Sequence, residues 1–255
     1  MSEERSQTRD WDAATYDRVS HPQVMWAAEV LDRLVLRGDE TVLDAGCGSG
    51  RVTRMLLDRL PRGRVVAVDA SPSMVEKARE AIGDRGQAFV TDLLELELAE
   101  PVDAAFSTAV FHWIADHDAL FARLHAALKP GGRLVAQCGG RGNIAAFKAV
   151  MDEVAAREPY APYFAGWRGP WNYAGAEETE ERLRRAGFTD VRCWLQPWPV
   201  KLDEPEAFAT TVCLGHHLER LPEPLREGFT AAVLAGAAAP LELDYVRLNI
   251  DARAA

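Results

Sequence analysis

In the run Asp44-Ala45-Gly46-Cys47-Gly48-Ser49-Gly50, one carboxylate and three glycines stand at alternate positions. Glycine lets a backbone turn sharply and come close to a ligand, because it has no Cβ and tolerates positive φ. Between a strand and a helix, such a turn is where nucleotide-type ligands sit in parallel α/β folds. Asp69 and Asp92 each close a further apolar run. A carboxylate at a strand end can accept both hydroxyls of a ribose, and it can equally cap the helix that follows. Three in register at successive strand ends point to a ligand more than to capping. The dinucleotide fingerprint needs Gly or Ala at the sixth position of G-x-G-x-x-G for close helix packing, and Arg51 stands there instead. His112 and Trp113 stand in residues 106–114, at the end of a fourth apolar run.

These residues need a scaffold that brings strand ends together. Val24, Ala28, Leu31 and Val35 recur at helical spacing, which predicts a helix over 22–37 stopped by Gly38. Residues 41–43 form a short strand entering the Gly-rich turn, and Val52, Met55, Leu56 and Leu60 make the next segment helical. Residues 64–69 are a second buried strand, after which Ser71 and Pro72 open a helix as N-cap and first helical residue. Strands follow at 88–91 and 102–108, then a helix over 117–128 that buries Leu120, Leu124 and Leu128. Lys129-Pro130-Gly131-Gly132 ends that helix in a tight turn, and 133–138 is a fifth strand. Near-continuous apolar strands alternating with helices mean a parallel sheet covered on both faces, a doubly wound α/β fold.

The second half is less regular. Residues 143–157 read as a helix, and 158–175 as a loop rich in Pro, Gly and aromatic residues. A helix over 176–185 leads through Gly187 into a strand at 191–195, and a mostly helical stretch covers 205–239. Alternation at Leu241, Leu243 and Tyr245 opens a terminal strand over 241–252. The chain therefore returns to its own sheet. The expected organisation is a single domain over 1–255: cap helices at 1–38, a core at 39–139, a lid at 140–175, and the remaining sheet with a helical insertion at 176–255.

With 48% hydrophobic and 27% charged residues, the 255-residue chain suits a globular protein and excludes a disordered one. Its 29 Lys+Arg against 39 Asp+Glu leave a net charge of −10. Such a chain has no global attraction for phosphate backbones or anionic lipid, so a small molecule is the expected partner rather than nucleic acid or membrane. A monomer or homodimer is expected. Residues 1–12 are polar, and 231–241 is too short to span a bilayer. Cys47, Cys138, Cys193 and Cys213 are scattered without a C-x-x-C pair, which favours the cytoplasm over a disulfide framework or zinc knuckle. No His, Cys and carboxylate cluster suggests a metal. Adjacent His216 and His217 cannot share a helix face, so one solvated histidine is the simpler expectation there.

The sequence resembles the class I S-adenosylmethionine-dependent methyltransferases. The resemblance rests on Val42 to Gly50, on Val66-Ala67-Val68-Asp69-Ala70-Ser71-Pro72-Ser73-Met74, on Thr91-Asp92-Leu93, and on Leu128-Lys129-Pro130-Gly131-Gly132-Arg133-Leu134. It is dense over 41–138 and looser in the terminal strand. It implies a Rossmann-like, doubly wound, seven-stranded, mostly parallel sheet with an antiparallel last strand, N-terminal helices and a helical or loop lid. It also implies S-adenosyl-L-methionine as cofactor. Gly46, Gly48 and Gly50 would wrap the methionyl and ribose portions, with Asp44 organising the loop and Asp69 holding the ribose hydroxyls. Asp92 would accept from the adenine amino group, the Leu93 backbone would read the ring, and Met74 would pack on it. Ala70 and Ala109 complete the implied cofactor set. A sulfonium cation without a pyrophosphate suits an acidic site. The His112-Trp113 pair is similar to the branch holding trans-aconitate and juvenile hormone acid methyltransferases. The segment Trp11-Asp12-Ala13-Ala14-Thr15-Tyr16-Asp17 resembles that branch and the malonyl-carrier-protein methyltransferases, which would put Tyr16 over the cofactor.

Methyl transfer is an in-line displacement, and positioning alone can supply on the order of 7–11 kcal/mol. A carboxylate acceptor needs no base. A hydroxyl, amine or carbon acid could, and His112 would then contribute about 10²–10⁴-fold; its competing role is a structural hydrogen bond beneath the loop. Trp113 could touch substrate or belong to the core. In the lid, Arg168 between Trp167 and Trp171 could clamp an anion in an apolar pocket, unless the segment is a small satellite core. The expected activity is O-methylation of a carboxylate or hydroxyl on a small, partly apolar metabolite. An NAD(P)-dependent oxidoreductase and a catalytically silent S-adenosylmethionine-binding regulatory protein are the alternatives.

Overall fold

Strands buried on both faces need apolar side chains in both directions, and the runs between 41 and 139 have them. The computed structural model describes residues 21–202 and 204–255. Its strands are β1 (Thr41–Ala45), β2 (Arg64–Asp69), β3 (Gly86–Val90), β4 (Val102–Thr108), β5 (Leu128–Gly139), β6 (Phe188–Pro197), β7 (Val200–Lys201), β8 (Glu242–Leu243) and β9 (Val246–Ala254). Seven of them form one sheet in the order β3-β2-β1-β4-β5-β9-β6. β1 to β5 pair in parallel, and β9 runs antiparallel to both β5 and β6. The order reverses between β1 and β4. In open α/β sheets, the crevice at the carboxyl ends of such a pair is where ligands bind.

The helices are α1 (His21–Arg33), α2 (Arg51–Asp58), α3 (Pro72–Ile82), α4 (His117–Ala127), α5 (Ala145–Ala155), α6 (Ala161–Phe164), α7 (Ala176–Arg185), α8 (Pro205–Phe208), α9 (Gly215–Arg220) and α10 (Glu223–Gly236), with a π-helical turn (Ala209–Cys213) after α8. Period-two alternation sorts the strand side chains into two cores. Val42, Val65, Ala67, Ala104 and Phe106 pack with α1, α2 and α3. Leu43, Val68, Ala105, Leu134 and Ile250 pack with α4 and α7. Each fully buried Leu or Phe among them contributes about 1.5–3 kcal/mol. A third core joins Trp26, α5, the insertion helices α8 to α10 and the half-buried lid aromatics Phe164, Trp171 and Tyr173.

β5 begins at Leu128 rather than at 133, taking in the expected turn 129–132, and β6 begins at Phe188 rather than at 191. Two further changes have a local cause. α1 ends at Arg33 rather than at 37, because the Glu40 carboxylate gathers the amides of Arg37, Gly38 and Asp39 into a turn, at 2.7, 2.8 and 3.1 Å. The expected terminal strand over 241–252 divides. Glu242 and Leu243 pair with Lys201 and Val200 in a separate ribbon. Asp244 then turns aside to serve the start of α5, its backbone oxygen accepting from Ile144 and its carboxylate from Ala146, both at 3.1 Å. The chain joins the main sheet only from Val246.

Candidate active site

β1 carries Asp44 into the interior, where it is 2% exposed and accepts a 2.7 Å hydrogen bond from Thr53 Oγ1 of α2. Burial pushes its carboxyl up to about 7; the Thr53 bond opposes this and the charge of Asp69 adds to it. The loop beyond folds onto the end of β2. The amides of Gly46 and Cys47 donate to Val68 O at 2.8 and 2.9 Å, and that of Gly48 donates to Asp69 Oδ2 at 2.9 Å. Gly46 has φ 85°, and a Cβ there would lie 2.2 Å from Val110 Cγ2. The Gly-rich loop and the loop after β4 are thus in contact at the switch point, and only glycine fits between them. Gly48, at φ 53°, has nothing within 4 Å of its Cβ position. That side of the loop is open. Gly50 is the N-cap of α2.

The three strand-end carboxylates sit in graded surroundings. Asp69 is half-buried, and its second oxygen accepts from Ser71 N at 2.9 Å. Burial raises its pKa against the opposing backbone hydrogen bonds from Ser71, Gly48 and Ala70. Asp92 is exposed and caps the 3₁₀ turn Leu93–Glu95 through a 2.9 Å bond from Leu94 N. Of the two roles weighed for Asp92, capping is the one present here. The Leu93 side chain is in the core. Met74, 3% exposed, stands in the first turn of α3 with its amide donating to Ser71 Oγ at 3.4 Å. Ala70 is half-buried between them. Tyr16 lies outside the described residues.

After β4, Ser107 Oγ donates to Ala45 O at 2.6 Å, and Ala109, at φ 60°, donates its amide to Gln137 O at 2.8 Å. The 3₁₀ turn Phe111–Trp113 follows. His112 is 7% exposed; its Nδ1 accepts from Gly139 N at 3.3 Å, and its backbone oxygen accepts from Asn172 N at 2.8 Å. An amide can only donate, so the neutral imidazole carries its proton on Nε2. Burial, then the charges of Arg247 and His117, hold the ring well below its usual pKa. His112 is therefore a neutral Nε2–H donor whose Nδ1 is taken. The structural hydrogen bond weighed against a base role is the one present.

The lid is sewn to this turn. Asn172 Nδ2 donates to Ile114 O at 3.2 Å and Ala115 O at 3.0 Å. Tyr173 stacks on His112 with centroids 5.8 Å apart, and Trp171 stacks on Tyr173 at 5.6 Å. Trp113 meets His112 at 4.9 Å, Trp171 at 6.0 Å and His216 at 5.0 Å. Trp113 and Trp171 thus come together beside His112. Trp167 belongs to the satellite core, against Phe164 and edge-on to His217 at 4.7 Å. Arg168 is exposed, so the apolar surroundings expected of an anion clamp are not around it. Of the adjacent histidines, His217 is buried, which lowers its pKa to about 4, and His216 is half-buried on Trp113.

Three residues escaped the sequence reading: Tyr173, Gln137 and Arg247. Arg247 is 2% exposed on β9, its Nε donating to Gln137 Oε1 at 3.4 Å and its guanidinium 4.3 Å from the Trp26 ring centroid. The signal was present in the alternation of Arg247, Asn249 and Asp251, which puts three polar residues on one face of a strand. That face lies under α1, where Arg33 bonds Asn249 and Ala136 O and pairs with Asp251 at 3.3 Å. Among the described residues, no group of three His, Cys, Asp or Glu could hold a metal, and no helix is long and apolar enough to cross a membrane.

The methyltransferase domain family matches residues 42–132, the segment that builds the Gly-rich loop, the strand-end carboxylates and the His112 turn. Over nearly the whole chain, the sequence is 30% identical to a trans-aconitate 2-methyltransferase of Paracidovorax citrulli, with 94% of each protein covered. The chain belongs to the class I S-adenosylmethionine-dependent methyltransferases. An Escherichia coli trans-aconitate 2-methyltransferase is 32% identical over 72% of this methyltransferase and 70% of its own length. The Haemonchus contortus phosphoethanolamine N-methyltransferase 2, solved with S-adenosyl-L-methionine, shares the fold at TM-score 0.63 and 22% identity; the match covers 98% of this chain and 58% of that one. These relatives remove the oxidoreductase alternative.

The residues of this methyltransferase fit S-adenosylmethionine, its cofactor. The open side of Gly48 gives the ligand room, and the half-buried Asp69 carboxylate keeps acceptor capacity for a hydroxyl donor beyond its backbone bonds. Neither 44–50 nor 69–74 contains the Lys or Arg that a pyrophosphate would need.

Proposed function

We propose that this methyltransferase O-methylates a small polycarboxylic acid of the trans-aconitate type, at one of its carboxylates. The observation that carries the proposal is the 30% identity to a trans-aconitate 2-methyltransferase across 94% of both chains. The geometry of His112 supports it independently. With Nδ1 held by Gly139 and the ring kept neutral, the residue offers a hydrogen to an acceptor and takes none away. That suits a carboxylate, which is already anionic at neutral pH, better than a hydroxyl or amine that must lose a proton.

S-adenosylmethionine supplies an electrophilic methyl group. The Gly46–Gly50 loop and Asp69 bind it at the switch point, with Asp44 beneath the loop, Ala70, Met74, Asp92 and Leu93 along the adenosine side, and Ala109 at the methyl end. His112 Nε2–H orients the acceptor, and Trp113, Trp171 and Tyr173 exclude water from it. Excluding water strengthens each polar contact inside, and alignment supplies most of the rate. Arg168 and Trp167 have no part in this arrangement. A seven-stranded sheet that draws strands from both 41–139 and 188–254 supports treating the chain as one domain.

The test is incubation with S-adenosylmethionine and trans-aconitate, alongside a phenol and an amine of similar size, with products read by mass spectrometry. A methyl ester of the acid and stoichiometric S-adenosylhomocysteine are expected. Methylation of only the phenol or amine would overturn the proposal.

A further inference from the structure

A buried carbonyl oxygen needs one donor to be satisfied and has room for two. Phe111 O, at the head of the 3₁₀ turn that carries His112, finds its first donor within the turn, the Ile114 amide at 3.0 Å. Its second comes from outside: His117 Nε2 lies 2.9 Å away. A carbonyl only accepts, so this imidazole carries a proton on Nε2. Burial lowers the pKa of the ring against the opposing Phe111 bond, which leaves Nδ1 unprotonated near neutral pH. The ring is 2% exposed, lies 5.6 Å from that of Phe121, and meets no donor at Nδ1 among the described residues. His117 thus spends its bond on an oxygen that is already satisfied. Losing such a bond strands no buried group, so it costs stability little. What it does is join two elements.

One of these elements is firmly seated. His117 is the first residue of α4, whose Asp116 cap accepts from Ala119 N at 2.9 Å and whose Leu120, Phe121 and Leu124 are fully buried. The other is the turn, which three elements hold. Gly139 of β5 donates to the His112 ring, Asn172 of the lid to His112 O, and His117 of α4 to Phe111 O. Two ties on His112 alone leave rotation about the line through them, and the third, one residue away, opposes it. We propose that His117 is a positioning residue for methyl transfer: by tying Phe111 O to α4, it sets the direction in which His112 Nε2–H meets the acceptor. Its action is through the turn. A shift of about 1 Å can cost about 10²-fold in rate, so a modest tilt is enough to matter. The proposal rests on the acceptor-orienting role given to His112.

The experiment compares wild type with His117→Leu, which removes the donor, and His117→Gln, whose side-chain amide can reach the same oxygen. On trans-aconitate, His117→Leu is expected to lower kcat about tenfold, with KM and S-adenosylhomocysteine affinity within about threefold of wild type. His117→Gln should recover most of kcat. Added to His112→Phe, His117→Leu should cost less than about threefold more, because the two act as one unit. Unchanged kcat in His117→Leu, no recovery in His117→Gln, or equal losses with and without His112 would overturn the proposal. If His117→Leu does not fold, His117→Asn, whose amide stops one bond short of Phe111 O, takes its place. Hydrogen exchange at the Gly139 amide, read by NMR with β4 amides as the control, needs no turnover. It should quicken at least about tenfold in His117→Leu and stay near wild type in His117→Gln; unchanged exchange in His117→Leu would also overturn the proposal. If wild type does not methylate trans-aconitate, the carboxylate acceptor fails, and this exchange alone decides on His117.

Discussion

Replacing Asp44 by Asn should make the fold less sensitive to alkali. The Asp44 carboxyl, ordinarily at 3.8, is pushed up to about 7 by burial. The folded state thus holds this proton more tightly than the unfolded chain does. The stability it contributes is fully present below 3.8 and is lost as pH rises through 7. Above that window the loss is about 4 kcal/mol, from a gap of about 3 at 1.36 kcal/mol each. Near pH 5 less than half of it has gone, so about 2–3 kcal/mol should disappear between pH 5 and pH 8. Asn keeps an acceptor for Thr53 Oγ1, at 2.7 Å in the native protein, but carries no proton that titrates. Urea unfolding of both ligand-free proteins from pH 5 to pH 8 measures the difference, in which every other titration cancels. Wild type should lose about 2–3 kcal/mol relative to Asp44→Asn across that range. A constant difference would refute the burial argument.

Other perturbations separate the parts of the site. Gly46→Ala puts a Cβ 2.2 Å from Val110 at φ 85°, so S-adenosylhomocysteine affinity should fall at least about tenfold, and adding Val110→Ala should restore part of it in calorimetry. Asp69→Ala frees the amides of Gly48 and Ser71 and removes a hydroxyl acceptor; an affinity loss below about tenfold would count against its ribose role. Because burial keeps His112 neutral, kcat/KM should show no inflection from this residue between pH 6 and 8. His112→Phe should lower it by a similar factor, about tenfold, throughout, and an inflection near 6.5 that vanishes in the variant would refute its donor role. Asn172→Ala deletes two bonds that hold the lid to Ile114 and Ala115. KM should rise about three- to tenfold with kcat little changed, read in steady-state assays.

Much of the cofactor side was legible because it depends on local rules. Arg64–Asp69 and Val102–Thr108 are built around the apolar runs 65–68 and 104–106 and became strands with the expected bounds. Ser71-Pro72 states a helix start in two residues, and the structure has that cap. The acceptor side was less legible because it depends on contacts distant in sequence. His112 depends on Gly139 and Asn172, and Tyr173 reaches it through the space left at Gly139. Arg168 looked enclosed by its neighbours Trp167 and Trp171, yet both rings turn onto His217 and leave it exposed. Arg247 was hidden by alternation, which marks a polar face on a strand but not whether a helix or water covers it.

The segment from Gly139 to Asn172 leaves the sheet and returns with both ends fastened to His112, through the ring at one end and the backbone oxygen at the other. It is a handle riveted at a single point. Of what lies between the rivets, α5 and Phe164 belong to the third core, but the loop 165–170 can be lengthened at small entropic cost, because closing a longer loop adds only about 0.6 kcal/mol per doubling. The acceptor histidine and the cofactor loop would keep their places. For enzyme engineering, the loop 165–170 is thus the place to graft segments from other methyltransferases, beside Trp171 and without rebuilding the buried helix α5.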